Sequence, residues 1–356
     1  MWPGCHSHPV LSSPMGSVTS GGEFVRAILV RGLGGPKSVS VAEVDVPTPS
    51  TGEVAVDVHV SGVSFPEVLL SRGRYQYRPE LPFVLGGEIA GVVRSVGSGV
   101  DRWRPGQRVA AYCGTGGLAE VAVVGQDALF ELPDAVPCAV GAAVSMNTFT
   151  VHFALGRRGR LQAGEWVLVH GAGGAVGSAA VQLATAMGAR VIAAASTHER
   201  RAAAGRAGAL VTIDVEGFLA AVRDVTGGAG VDVVVDPVGD NRFVDSLRAL
   251  APEGRLLVVG FAGGSIPEVR VNRLLLTNTS VLGVGWGAFA QRRPGFVAEQ
   301  WTELAPLVVA GKVWPLLGDP FPLEDSAAAL LSIEQRRSTG HVTVAVQPCD
   351  CGNRRV

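Results

Sequence analysis

The sequence predicts an α/β protein in which a β-rich domain precedes a doubly wound parallel sheet. Three observations carry that prediction. From about Val25 to Val124 the apolar residues come in short alternating runs, such as "EVAVDVHVSGV" and "GEIAGVVRSVG", with glycine and proline between them, as in antiparallel or barrel-like sheets. From Trp166 the runs become continuous, "WVLVHGA", "RVIAAAS", "LVTID", "VDVVVDP" and "RLLVVGFA", as expected of strands covered on both faces. Amphipathic segments such as "SAAVQLATAMGA" and "RFVDSLRALAPEG" lie between them. Strand and helix alternating at this spacing imply βαβ units with right-handed crossovers.

The remaining elements follow in order. A helical stretch opens near Cys138 and runs on through "GAAVSMNTFTVHFALGRRG". "SVLGVGW" supplies a sixth strand to the second sheet, and a helix is expected around Ala298–Gly311. The closing "SAAALLSIEQRRSTGHVTVAV" reads as a helix and a last strand.

Composition narrows the function. Apolar residues make up 47% of the 356 residues, charged residues 17%, and the formal charge is −1. Such a chain supports large cores and lacks the basic field of a nucleic-acid binder. No apolar run approaches the roughly 20 residues of a membrane span. The opening "MWPGCHSHPVLSSPMGSVTSGGE" has neither the basic start nor the apolar stretch of a signal peptide. Five scattered cysteines without CxxC pairs argue against a disulfide framework. The expectation is a cytoplasmic protein with no nucleic-acid or membrane partner.

The turn "GAGGAVG", Gly171–Gly177, closes an expected strand and opens an expected helix, the context that gives a glycine-rich motif meaning. Gly174 and Gly177 take the second and third glycine positions of G-x-G-x-x-G, with Ala172 at the first. Gly171 and Gly173 keep the turn free of side chains. Ala175 and Val176 begin the helix, whose unpaired N–H groups and dipole suit a pyrophosphate. A dinucleotide is the expected ligand. No carboxylate follows the second strand until Glu199; "AAASTHERR" offers the hydroxyls of Ser196 and Thr197 and the guanidinium groups of Arg200 and Arg201. A missing acid and a present base favour a 2′-phosphate, hence NADPH over NADH. The alternative is that both arginines decorate a solvated helix face.

"GVSFPEVLLSRGRYQ" at 62–76, "LPFVLGGEIAGVVRSVGSGV" at 81–100, the glycine turn with its flanks at 163–184, "VDVVVDPVG" at 231–239 and "EGRLLVVGFAGG" at 253–264 resemble the zinc-independent quinone oxidoreductases of the medium-chain dehydrogenase/reductase superfamily. The resemblance runs from about Val25 to Val346. It implies a GroES-like catalytic domain over 25–148, a Rossmann domain over 149–286 and a return to the catalytic domain over 287–347. Disordered tails are expected at 1–24 and 348–356. It further implies a homodimer through the sheet edge at "SVLGVGW", and a cofactor in the cleft between the domains.

Zinc-dependent relatives carry Gly-His-Glu, where this chain reads Gly86-Gly87-Glu88. The first-ligand cysteine position falls near Ser64, and no four-cysteine cluster is present. No metal is expected, and acceptors that take hydride readily, quinones and enones, fit best. By the same resemblance Ser64 stands where the family has a nicotinamide-side asparagine, and Leu69 replaces a family tyrosine. Tyr75 matches a cleft tyrosine able to orient a carbonyl or donate a proton; the alternative is a half-buried aromatic. Thr150 matches a threonine near the nicotinamide, unless its hydroxyl bonds back to its own helix. Arg200 falls on the phosphate-binding position, Val215 replaces a second phosphate contact, and Arg336 matches a cofactor-binding arginine. Backbone at Gly260 and Phe261 is expected beside the nicotinamide.

Short-chain dehydrogenases are excluded, because no tyrosine has a lysine four residues on, and no G-x-S-x-G elbow offers a hydrolase nucleophile. Two classes remain: an NADPH-dependent reductase of quinones or enones, with enoyl thioesters as competing acceptors, and a non-catalytic NADPH-binding structural or sensor protein.

Overall fold

The computed structural model describes residues 23–348, so the expectations for the tails lie almost wholly outside it. Phe24, assigned to the lead-in, is an exception: it opens the first strand and pairs with Asp45.

The β-rich part contains β1 (Phe24–Val30), β2 (Val39–Asp45), β3 (Glu53–Val63), β4 (Phe83–Val84), β5 (Glu88–Val96), β6 (Arg108–Tyr112), β7 (Val121–Gly125) and β8 (Leu129–Glu131). The short helix α1 (Phe65–Ser71) follows β3. β3 is the hub, antiparallel to both β5 and β7. Its burial is nearly continuous, with Val54, Val56 and Val58 fully enclosed. Each such side chain contributes about 1.5–3 kcal/mol.

Helices α2 (Cys138–Val144) and α3 (Asn147–His152) lead out of this part. The sequence reads them as one stretch, but they meet at a 41° bend. One local bond marks the break, and a carboxyl distant in sequence faces it. The Ser145 hydroxyl donates to the Ala142 carbonyl at 2.7 Å, and the Glu88 carboxyl lies against the Met146 N–H. The bend delivers Asn147 into the interior, where it is 3% exposed. A π-helical turn, Phe153–Arg158, completes α3.

The second sheet contains β9 (Trp166–His170), β10 (Arg190–Ala194), β11 (Val211–Ile213), β12 (Val231–Asp236), β13 (Leu250–Val258) and β14 (Ser280–Gly283), in the order β11-β10-β9-β12-β13-β14. All five pairings are parallel. Helices α4 (Ala175–Ala186), α5 (His198–Arg206), α6 (Phe218–Val225), α7 (Phe243–Arg248) and α8 (Asn272–Thr277) provide the crossovers. Strand order reverses between β9 and β12, and the glycine turn follows β9, so the turn sits at the topological switch point.

The chain then forms α9 (Trp286–Gln291), α10 (Phe296–Val309), β15 (Phe321–Pro322), α11 (Ser326–Glu334) and β16 (Val342–Ala345). β16 pairs antiparallel with β3, so the end of the chain rejoins the first part. β14 is one edge of its sheet, β11 the other. Beside it Val271, Leu275 and Leu276 are 73–79% exposed. No single helix among the described residues is long and apolar enough to cross a membrane.

Candidate functional site

The nucleotide end is built from the glycine turn outward. Gly171 adopts φ +59°, a left-handed conformation that costs glycine little. Gly174 caps α4, and Ala175 and Val176 form its first turn. A Cβ on Gly177 would stand 2.2 Å from the Gly171 carbonyl oxygen, so only glycine lets the helix close on the turn. Val238, after β12, would touch a Cβ on Gly171 at 3.3 Å. Its loop is held by Asp236, whose Oδ1 accepts the N–H groups of Val238 and Gly239 at 2.9 Å each. Gly260 and Phe261 follow β13; a Cβ on Gly239 would meet the Phe261 ring at 2.9 Å, so the two loops line one side of the turn.

Beyond β10, Ser196 is exposed and Thr197 caps α5 by accepting the Arg200 N–H at 3.2 Å. The Arg200 side chain lies over Gly173, where a Cβ would come within 2.6 Å of it. Its guanidinium donates to the carbonyls of Arg336 and Ser338. Arg201 is occupied differently, with the Asp214 carboxylate and the Ala195 carbonyl. Arg336 donates to the Ala262 carbonyl at 2.9 Å. Gly340 N–H donates to the Gly173 carbonyl at 2.9 Å. Residues 336–340 therefore strap the mouth of the turn, with Arg200 bonded to the strap and Arg336 reaching from it to the loop after β13.

The reacting end centres on Ser64. Ser64-Phe65-Pro66-Glu67 opens α1 as a capping box: Glu67 Oε2 accepts the Ser64 N–H at 2.8 Å. The Ser64 hydroxyl donates to Glu88 Oε1 at 2.6 Å and accepts from Asn147 Nδ2 at 3.2 Å. Asn147 also donates to His341 Nδ1 at 2.8 Å. That bond leaves the imidazole proton on Nε2, which points toward Glu88 Oε1 at 3.6 Å. Burial pushes the Glu88 carboxyl well above the ordinary carboxylate range, with neighbouring Glu67 adding to it. Burial pushes Glu67 up to about 7 and holds His341 down to about 4. Burial thus keeps Glu88 and His341 neutral around neutral pH and brings Glu67 into that range.

Tyr75 lies beside it, half-buried, with its phenol near that of Tyr112. Burial and then Glu67 raise the Tyr75 phenol; burial raises Tyr112 well up. Both stay protonated donors. The Tyr112 ring packs against Trp286 of α9 at 5.3 Å. Thr150 lies one turn along α3 from Asn147, and among the described residues its hydroxyl makes no bond back to the helix. Leu69 adds an apolar, partly exposed side chain to α1, and Val215 is buried.

The structure joins the expected turn residues with Arg200 and Arg336 at one end, and Ser64 with Tyr75 through shared neighbours at the other. One expectation changes character: the Ser64 hydroxyl is spent on Glu88 and Asn147. Sequence reasoning missed Glu67, Tyr112, Asn147 and His341 as members of the site. The S-x-x-E spacing of Ser64 and Glu67 is a capping pattern, which carries no sign of burial. Asn147 and His341 are 194 residues apart, and no local pattern joins them.

Comparison with known proteins agrees with this geometry. Residues 50–134 match the alcohol dehydrogenase GroES-like domain, and residues 175–309 match the zinc-binding dehydrogenase family. The chain is 38% identical to quinone oxidoreductase-like protein 2 of Bos taurus over 83% of its own length and 85% of that protein's. It is 33% identical to quinone oxidoreductase of Rattus norvegicus over 88% of its length and 94% of that protein's. The chain belongs to the quinone oxidoreductase family of the medium-chain dehydrogenase/reductase superfamily. Among solved structures of this fold, a mycobacterial protein complexed with NADPH superposes with a TM-score of 0.85 at 31% identity, covering 90% of this chain and 99% of that one. Escherichia coli quinone oxidoreductase, also complexed with NADPH, gives 0.81 at 27% identity over 90% and 99%.

One matched family description includes zinc, and the residues present do not fit that ion. Position 87 lacks a side chain, and a Cβ there would stand 2.9 Å from Glu67 Oε1 and 3.1 Å from the Tyr112 ring. The room for an imidazole is already filled. Among the described residues no three His, Cys, Asp or Glu side chains are grouped to hold a metal.

Proposed function

We propose that this protein is an NADPH-dependent oxidoreductase that reduces a quinone or an α,β-unsaturated carbonyl without zinc. The observation that carries the reading is the segment 336–341, which bonds through Gly340 to a closed glycine turn flanked by Arg200 and Arg336, and through His341 to the cluster beside the Tyr75–Tyr112 pair. The complexes of its relatives with NADPH support it.

The pyrophosphate belongs over Gly173, Gly174 and the first turn of α4, where the N–H groups of that turn and the helix dipole meet it. Arg200 reaches the 2′-phosphate by exchanging backbone carbonyls for a doubly charged partner. Bound NADPH supplies a hydride; the chain provides everything else. Buried Asn147, Phe149 and Trp286 exclude water from the reacting end. Thr150 presents its hydroxyl to the nicotinamide side. An enone that gains hydride at its β-carbon shifts its double-bond electrons to the carbonyl oxygen. Tyr75 donates a hydrogen bond to that oxygen and then its proton, and the Tyr112 hydroxyl stabilises the phenolate that remains.

The internal commitment of the Ser64 hydroxyl favours a second reading, in which NADPH binds without turnover. Following nicotinamide absorbance with NADPH and with NADH, against quinones, enones and enoyl thioesters, decides between them. Turnover with NADPH supports the reductase; tight NADPH binding with every acceptor inert supports the structural or sensor role. We also propose a cytoplasmic homodimer. The free edge of β14 and the exposed leucines of α8 need cover. Light scattering at the monomer mass overturns it.

A further inference from the structure

A glutamate three residues after a capping serine is ordinarily a solvated surface group. Glu67 is 1% exposed. Its carboxyl accepts the Ser64 and Gly87 N–H groups, and no described lysine or arginine forms an ion pair with it. The groups facing it come from every side of the pocket. Glu88 belongs to β5, Tyr112 and Cys113 come from the end of β6, and Tyr75 from the loop after α1. His341 stands behind Glu88. Gly87 forms the shared wall, for its missing side chain leaves Glu67 Oε1 and the Tyr112 ring edge against the same point, 2.9 and 3.1 Å away.

We propose that Glu67 is a positioning residue that acts through the Tyr75–Tyr112 pair: protonated, it lets negative charge develop on the acceptor oxygen, and ionised, it opposes that charge. The inference rests on the reductase reading. Its physical basis is Coulombic. A carboxylate within a few ångströms of a forming oxyanion, in a pocket with no cation, raises the energy of that anion and weakens the phenols as donors. Burial places the change of Glu67 at about 7. Below that pH the carboxyl is neutral and the pair is an unopposed donor; above it the charge appears and the rate falls.

The test is the pH profile of kcat/KM for an enone, with NADPH saturating, in wild type and Glu67→Gln. Wild type is expected to lose about tenfold between pH 6 and 8, and the variant to lose that limb while its KM for NADPH holds. A purely structural role predicts an unchanged limb at lower activity, and that result overturns the proposal. Infrared titration of protein labelled with ¹³C-glutamate needs no turnover and no variant that folds well. It should show a protonated carboxyl band fading around pH 7, and a band flat from pH 6 to 8 also overturns the proposal. Should every acceptor prove inert while the band still titrates, the reductase reading fails and the charge change of Glu67 stands separately.

Discussion

The two ends of the cleft are built by opposite means. The nucleotide end is local in sequence: seven consecutive residues, Gly171–Gly177, make the turn, and two arginines close over it. The reacting end is assembled from afar, with Ser64 and Glu67 from α1, Glu88 from β5, Asn147 from α3 and His341 from the last segment. One end offers the first turn of a helix and two guanidinium groups. The other buries two carboxyls that form no ion pair with a described lysine or arginine, and desolvation raises both. A phosphate-binding end tolerates water and salt. A proton-handling end depends on excluding both.

The comparison breaks first at Gly177. Gly177→Val forces side-chain atoms into the Gly171 carbonyl, and is expected to abolish NADPH binding measured by fluorescence titration, since the helix must leave the turn. Retained affinity contradicts the close packing assigned to that turn. At the other end, Tyr75→Phe removes the donor and leaves the ring. Enone reduction should fall by about 10²-fold with the NADPH KM unchanged. An equal loss in KM points to a packing role. The smallest effect is expected at Arg200→Ala, which should cut the preference for NADPH over NADH by about tenfold, the loss of one charge-assisted contact. Equal effects on both cofactors would make Arg200 a clasp for residues 336–338 rather than a phosphate ligand.

The same contrast explains what the sequence made legible. The parallel sheet was readable because strands such as Val167–Val169 and Val233–Val235 are buried on both faces and so carry unbroken apolar runs. The glycine turn was readable because backbone geometry demands glycine at Gly171 and Gly177. The bend between α2 and α3 was not, because a carboxyl 58 residues upstream in number, Glu88, lies against the Met146 N–H. His341 carries no local signal for the same reason: its partner Asn147 reaches it only through the fold. Tyr75 and Thr150 are expected from the resemblance alone, and their neighbours Tyr112 and Asn147 come into view only in the structure.

The central claim is that this cleft reduces its acceptor with NADPH and no metal. Its most direct test is NADPH oxidation by a quinone and an enone after exhaustive chelation and gel filtration, with zinc content measured on the same sample. The account predicts undiminished turnover at negligible zinc and no gain when zinc is added back. Activity that disappears with chelation and returns in proportion to added zinc would contradict it.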